Sequence, residues 1–147
     1  MTARSRWGVT PRQSIEAESA RRGRQAVIAG CCDLIRGSDT DSGLILALGG
    51  PHARRVLDGD PRGDQWYWLR VWGIRGLLWA WDDSAVDTVV VALRDPHWRV
   101  RELASKVVAR HHLGDTLPIV VELREDPVPR VRAAAIRAVA ILTQTGS

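Results

Sequence analysis

Three segments of the chain share one pattern: DQWYWLR at residues 64–70, DPHWRVR at 95–101 and DPVPRVR at 126–132. The offset is 31 residues both times, with no insertion or deletion inside the segments. A fixed period of about 20–50 residues is typical of repeat proteins, in which each copy is one supersecondary unit. The agreement continues downstream, at corresponding positions occupied by Trp72, Leu103 and Ala134. The sequence therefore predicts three repeated units.

Each unit is predicted to consist of two helices. Valines and a leucine at helical spacing predict a short helix over 85–94, which ends at Asp95-Pro96 because proline lacks the backbone donor that the next turn needs. A second helix is predicted over 98–111, and its counterpart in the last unit over about 129–143. Small residues on the apolar face of that last helix let neighbouring helices pack closely. They are Val131, Ala134, Ala135, Ala138 and Val139.

The segment before the first repeat predicts a terminal cap. Apolar residues at helical spacing predict one helix over 13–36, and terminal repeats of stacked helical proteins are atypical in sequence. Leucines predict a further helix within 40–58, interrupted at Gly49-Gly50-Pro51. The patterns together predict an all-α repeat solenoid of seven or eight helices with an N-terminal helical cap. They place one domain over 1–147, with repeats at about 43–81, 84–112 and 115–143.

The pattern Asp-Pro-x-x-x-Val-Arg-x-x-Ala resembles the HEAT repeat, in the short bacterial form called PBS-lyase HEAT-like. The resemblance covers residues 84–143 and extends to the helix at 64–81. The whole chain also resembles a group of uncharacterised actinobacterial HEAT-repeat proteins, a likeness that implies no activity. The family resemblance implies that each aspartate caps a turn and each arginine reaches between units. The implied structural ladder consists of Asp64, Arg70, Asp95, Arg101, Asp126 and Arg132.

Composition and charge limit the class of protein. Hydrophobic residues make up 45% of the chain and charged residues 26%, which indicates a globular domain and not a disordered one. The sequence lacks the apolar run of about 18 residues that a membrane helix needs and the apolar stretch of a secretory signal, so a cytoplasmic protein is expected. Net charge is +4, with basic ends at 1–36 and 96–147 and an acidic middle, so a polyanionic partner is permitted but not required.

A second basic column follows the ladder arginines by five residues. It consists of Arg75, Lys106 and Arg137, with Arg99, Arg110 and Arg130 nearby. This column is expected to face solvent on one surface of the stack, where regularly spaced cations suit an acidic peptide or a phosphate backbone. The alternative is a solvated face that only keeps the protein soluble.

Tryptophan is concentrated in one helix, with five of the seven between residues 66 and 81. Trp72 aligns with apolar repeat positions and is predicted to lie in the core. Trp68 and Trp79 align with Arg99 and Arg110, so they are expected nearer to solvent. Either the N-terminal segment 13–58 covers them, or they form an exposed aromatic patch of the kind found at interaction hot spots.

These observations favour a non-enzymatic interaction module that binds a protein or peptide through Trp68, Trp79, Arg75, Lys106 and Arg137. Nucleic acid is the alternative ligand. No catalytic residues, metal ligands or cofactor are predicted, because the sequence shows no phosphate-binding loop, nucleophile elbow or metal-ligand spacing. A third hypothesis is an enzyme similar to the alkylpurine DNA glycosylases, which are built from HEAT-like repeats and set an aspartate among tryptophans. Here the corresponding candidates, Asp82 and Asp83, fall in a predicted turn, where capping explains them.

Overall fold

The computed structural model of the chain describes residues 10–38, 41–60 and 63–144. All regular structure within these ranges is helical, which confirms the predicted all-α class. The α-helices are α1 (Pro11–Arg22), α2 (Arg24–Ile35), α3 (Ser42–Gly49), α4 (Pro51–Leu57), α5 (Trp68–Gly76), α6 (Val86–Leu93), α7 (Trp98–His111), α8 (Leu117–Leu123) and α9 (Pro129–Thr143). Single 3₁₀ turns lie at Asp83–Ala85 and Gly114–Thr116.

The chain divides into two compact units, the first ending at Ala85 and the second beginning at Val86. The single domain over 1–147 that the sequence predicted stays a prediction. The boundary follows Ala85 and so lies two residues inside the predicted repeat at 84–112. It arises because the N-terminal helices pack around α5 and complete a core of their own.

The predicted cap helix over 13–36 is wrong, because this segment forms two helices. Gly23 lies between α1 and α2 with φ 94°, a backbone conformation that glycine adopts at little cost and other residues rarely adopt. Helix α1 also begins earlier than predicted, since Thr10 and Gln13 form a reciprocal capping box around its first turn. The apolar spacing on both sides of Gly23 concealed the break.

The core of the first unit depends on close packing of α2 against α5. Gly73 and Gly76 of α5 face α2, and a Cβ atom on Gly73 would lie 2.8 Å from the carbonyl oxygen of Cys31. The corresponding residues of the next repeat are Ala104 and Val107, so the glycines are specific to the helix that the N-terminal segment covers. Trp72, predicted to be core, is only 2% exposed. The glycines therefore allow the cap to pack onto the first repeat.

The second unit consists of two stacked helix pairs. Helix α6 packs on α7, α8 packs on α9, and the second helices of the two pairs, α7 and α9, pack along each other. Helices α7 and α9 begin and end where the repeat pattern predicted. Helices α6 and α8 form one layer of this unit, and α7 and α9 form the other. The interior between them includes Val89, Leu93, Val100, Ala104, Val107, Val108, Val120, Val131, Ala135 and Ala138.

Candidate interaction surface

The polar ladder is present in the second unit. Arg101 donates from Nε and Nη2 to the two carboxylate oxygens of Asp126, at 2.8 and 3.2 Å, and so joins the two helix pairs. Its Nη1 donates to the carbonyls of Asp95 and Pro96 at the start of its own helix. Each aspartate also accepts from a backbone N–H two residues later, from His97 or from Val128. The contact between Arg101 and Asp126 therefore joins the two helix pairs, whereas these other hydrogen bonds are local.

The remaining ladder residues are Arg132, Asp64 and Arg70. Arg132 donates from Nη1 to the carbonyls of Asp126 and Pro127, which repeats the local contacts of Arg101. Asp64 is exposed in the turn before α5, and Arg70 is half-buried on α5. The structural role of Asp64 and Arg70 stays a prediction.

Trp68 lies in an aromatic cluster of the first unit. Its ring stacks on Trp72 at 6.0 Å and on Tyr67 at 5.2 Å between centroids, and the His52 ring of α4 meets it edge-on at 4.8 Å. Burial, together with the nearby charges of Arg55 and Arg75, lowers the pKa of His52, so this ring is neutral at pH 7 and packs as an aromatic group. Trp68 is consequently half-buried by residues of its own unit.

Trp79 is also half-buried and is covered in part by the N-terminal segment. The guanidinium carbon of Arg12, on α1, lies 5.3 Å from the centroid of the Trp79 ring, within the range of a cation–π contact. Of the two interpretations of the tryptophan-rich helix, these contacts support coverage by the N-terminal helices. A binding role for Trp68 and Trp79 stays a prediction.

Arg75 does not project into solvent as the second basic column predicted. Its Nη2 donates to the carbonyl oxygen of Leu48 at 2.7 Å, in the last turn of α3. That carbonyl lies where a helix leaves its acceptors unsatisfied, so Arg75 caps the negative end of α3. Burial lowers the pKa of the guanidinium. The expectation failed because α3 packs near α5, a contact that no local pattern reveals.

The remaining two residues of the column are exposed. Lys106 has a side chain that is 49% accessible and lies 3.6 Å from Glu102, and Arg137 is exposed at the corresponding position of α9. Arg99 and Arg110 stand seven residues before and four after Lys106, so these three positions follow one stripe of α7. Arg130 and Arg137 repeat the seven-residue spacing on α9. We call these five residues the basic face: Arg99, Lys106, Arg110, Arg130 and Arg137.

Trp98 anchors one end of the basic face, and sequence reasoning did not identify it. The guanidinium groups of Arg99 and Arg130 lie over its ring, at 4.5 and 5.2 Å from the centroid. Glu102, only 8% exposed, accepts from Nε of Arg130 at 3.0 Å. The aromatic ring and the buried carboxylate hold Arg130 against α7 and orient its guanidinium. The available signal was the match of Trp98 with Tyr67, an aromatic residue at the same repeat position.

Charge is divided between the two layers of the second unit. Helices α7 and α9 contain seven arginine and lysine residues and a single acid, Glu102, whereas α6 and α8 contain acids and no basic residue. The acids are Asp87 on α6 and Glu122 on α8, both exposed. The layer formed by α7 and α9 is therefore the more positively charged of the two.

The residues considered for metal binding or catalysis have other surroundings in the structure. No three potential metal ligands among them cluster closely enough to hold an ion. Burial, together with the charge of Cys32, raises the pKa of the Cys31 thiol to about 12, so it is protonated at neutral pH. Asp82 accepts from Gln25 at 2.6 Å and from the backbone N–H and the hydroxyl of Ser84, as expected of a turn cap. Within the described ranges, each helix is too short or too polar to span a bilayer.

Comparison with protein families finds a match for this chain. The protein-family model described as HEAT repeats matches residues 62–144, which is more than half of the chain. The match extends over α5 to α9. No curated protein and no solved structure matches the chain.

Proposed function

Because this chain belongs to the HEAT-repeat family, we propose that it is a non-enzymatic interaction module that binds an acidic segment of a partner protein on the basic face. HEAT repeats are generally protein-interaction modules. The observation that carries the proposal is the division of charge in the second unit, where every exposed charged side chain of α7 and α9 is a cation. Their one carboxylate, Glu102, is buried and is paired with Arg130 and Lys106.

The spacing of the cations defines the ligand. Arg99 and Lys106 are about 10 Å apart along α7, at 1.5 Å per residue, and Arg130 and Arg137 have the same separation along α9. Carboxylates meet this spacing when they recur every seven residues of a helix or every third residue of an extended segment. Arginine side chains bind carboxylates through two parallel hydrogen bonds, and the contacts with Trp98 hold two guanidiniums in place before the ligand arrives.

Two observations favour protein carboxylates over nucleic acid. Proteins that bind single strands stack bases on accessible aromatic rings, whereas the ring of Trp98 is already in contact with Arg99, Arg130 and His97. A long polyanion also needs many cations along its path, and the acids of α6 and α8 leave only one layer of this unit attractive to it.

Charge reversal tests the proposal. The double variant Lys106→Glu, Arg137→Glu is expected to bind a fluorescein-labelled glutamate-rich peptide of about 12 residues, which matches the length of α7, at least tenfold more weakly. The reason is that two attractive contacts become repulsive. Fluorescence anisotropy at physiological salt measures the affinity.

The matched control is Arg94→Glu, Arg124→Glu, which changes net charge equally at exposed residues following α6 and α8. This variant is expected to bind within about threefold of the native chain, because the altered residues lie outside the basic face. Equal losses in both double variants would show that only net charge attracts the peptide. Tighter binding of a single-stranded oligonucleotide than of the peptide, with a steep salt dependence, would identify nucleic acid as the ligand and refute the proposal.

A further inference from the structure

The outer flank of α9 has the residue pattern of a helix contact but is exposed. Its residues are Ala133, Ile136 and Ala140, and Ile136 is 54% accessible. They lie three or four residues apart and so form one stripe of the helix. We call this stripe the open flank of α9. It is distinct from the basic face, which includes other residues of the same helix.

The preceding repeat shows what covers such a flank. The corresponding residues of α7, 31 positions earlier, are Glu102, Ser105 and Ala109, which are 8%, 0% and 9% exposed. Helix α9 packs along α7, and the bond from Arg130 to Glu102 shows that this stripe faces α9. Within the second unit, α9 is therefore the helix of the next repeat that buries the stripe of α7 equivalent to the open flank.

Arg132 adds a polar requirement to the open flank. Its equivalent, Arg101, uses Nη1 for local carbonyls and uses Nε and Nη2 to bind Asp126 of the next repeat. Arg132 makes the same local contacts through Nη1, and among the described residues its Nε and Nη2 have no partner. A carboxylate just ahead of an incoming helix would therefore complete the contact that Arg101 makes within the chain.

We propose that the open flank of α9 binds an α-helix of a partner protein, in the position that α9 itself takes on α7. The partner helix carries an aspartate or glutamate immediately before its first turn, which Arg132 binds. It presents small apolar residues to Ala133, Ile136 and Ala140, because α9 contacts its neighbours through a face of alanines and valine. This surface extends the proposed function to a second, independent contact.

Charge argues against a second copy of the chain as the occupant. Helix α9 contains Arg130, Arg132 and Arg137 and no acid. Two copies paired through the same flank would place these arginines near one another. The acid that precedes α9 in each folded copy, Asp126, is already bound by Arg101 and is not available to Arg132 of the other copy. A partner helix preceded by an acid satisfies both the apolar stripe and the guanidinium.

The chain itself supplies a probe. A labelled synthetic peptide of residues 113–144 contains Asp126 and α9, the elements that cover α7 within the protein. We expect it to bind the full chain saturably below about 1 mM, a weak affinity because the peptide must fold on binding. Ile136→Glu or Arg132→Gln in the full chain, or Asp126→Asn in the peptide, is expected to reduce the affinity at least about tenfold, which corresponds to 1.4 kcal/mol.

Controls separate this surface from the basic face. The Lys106→Glu, Arg137→Glu chain is expected to bind the 113–144 peptide within about twofold of the native chain, even if it loses the glutamate-rich peptide. The peptide change Asp126→Asn is expected to have little further effect on the Arg132→Gln chain, because the two groups form one contact.

Three results would overturn the proposal. They are an absence of saturable binding, equal binding by a folded Ile136→Glu chain, and dimers of the native chain that Ile136→Glu abolishes in analytical ultracentrifugation.

Discussion

Replacement of Arg101 by methionine is expected to lower the free energy of unfolding of the second unit by about 3 kcal/mol. The Asp126 side chain is only 5% exposed, and Arg101 provides both of its charged hydrogen bonds. Without Arg101, the carboxylate retains the backbone N–H of Val128 but loses its ion pair in a place that water hardly reaches. Urea unfolding followed by circular dichroism at 222 nm measures the loss.

Arg132→Met is the matched control for this change. Arg132 occupies the same repeat position and makes the same two bonds to local carbonyls, but it does not form the bridge between repeats. Its replacement is expected to cost about 1 kcal/mol. Equal losses for the two variants would contradict the assignment of Arg101 to the ladder.

The stability difference between native chain and Arg101→Met is expected to depend on pH. Burial alone would raise the pKa of Asp126, but hydrogen bonds from Arg101 and Val128 and the charges of Arg101 and Arg132 outweigh burial and lower it. A lowered pKa in the folded state stabilises the protein above the unfolded value of about 3.9, and this contribution is lost as pH falls through the folded value. The difference should therefore be largest near pH 7 and shrink below about pH 4.

Gly73→Ala is expected to destabilise the first unit by about 2 kcal/mol, although alanine is the better helix former. The new Cβ would lie 2.8 Å from the carbonyl oxygen of Cys31 and 3.0 Å from Cβ of Leu34. Both neighbours belong to α2 and cannot rotate away, so the two helices must separate. The same unfolding measurement detects the loss.

Gly43→Ala provides the opposite expectation at another helical glycine. A Cβ there would be 3.6 Å from the Arg22 guanidinium and 3.7 Å from Asp41, which are ordinary contacts. Alanine should therefore stabilise α3 by about 0.5–1 kcal/mol through its helix propensity. If Gly73→Ala also stabilised the protein, the close packing of α2 on α5 would be wrong.

The parts of the fold that repeat in sequence could be predicted from it. The bounds of α7 and α9 followed from an apolar spacing of 3.6 residues and from the proline that begins each turn. The ladder residues Arg101 and Asp126 followed from the family pattern, since both lie at fixed repeat positions. Such features depend on local sequence and on contacts between neighbouring copies, which are the same in each unit.

The first unit was less predictable, because its contacts join segments that have no repeat relation. Arg75 has the charge and register of Lys106, but α3 packs against its helix and supplies an acceptor at Leu48. Trp79 has the register of Arg110, but Arg12 of α1 lies over its ring. Gly23, which has a positive φ, indicated a break between two helices. The apolar spacing on both sides of it favoured a single helix and was given more weight. Of the predicted binding residues, the candidate surface keeps Lys106 on α7 and Arg137 on α9, and a binding role for Trp68 and Trp79 stays a prediction.

Chemical-shift mapping tests the central claim, that the basic face is the binding surface, most directly. The ¹⁵N-labelled chain would be titrated with the glutamate-rich peptide at physiological salt, and amide shifts recorded for each residue. We expect the largest shifts around Arg99, Lys106, Arg110, Arg130 and Arg137, with little change in α6 and α8. Shifts concentrated instead around Trp68 and Trp79 would contradict the account and restore the aromatic site that the sequence suggested.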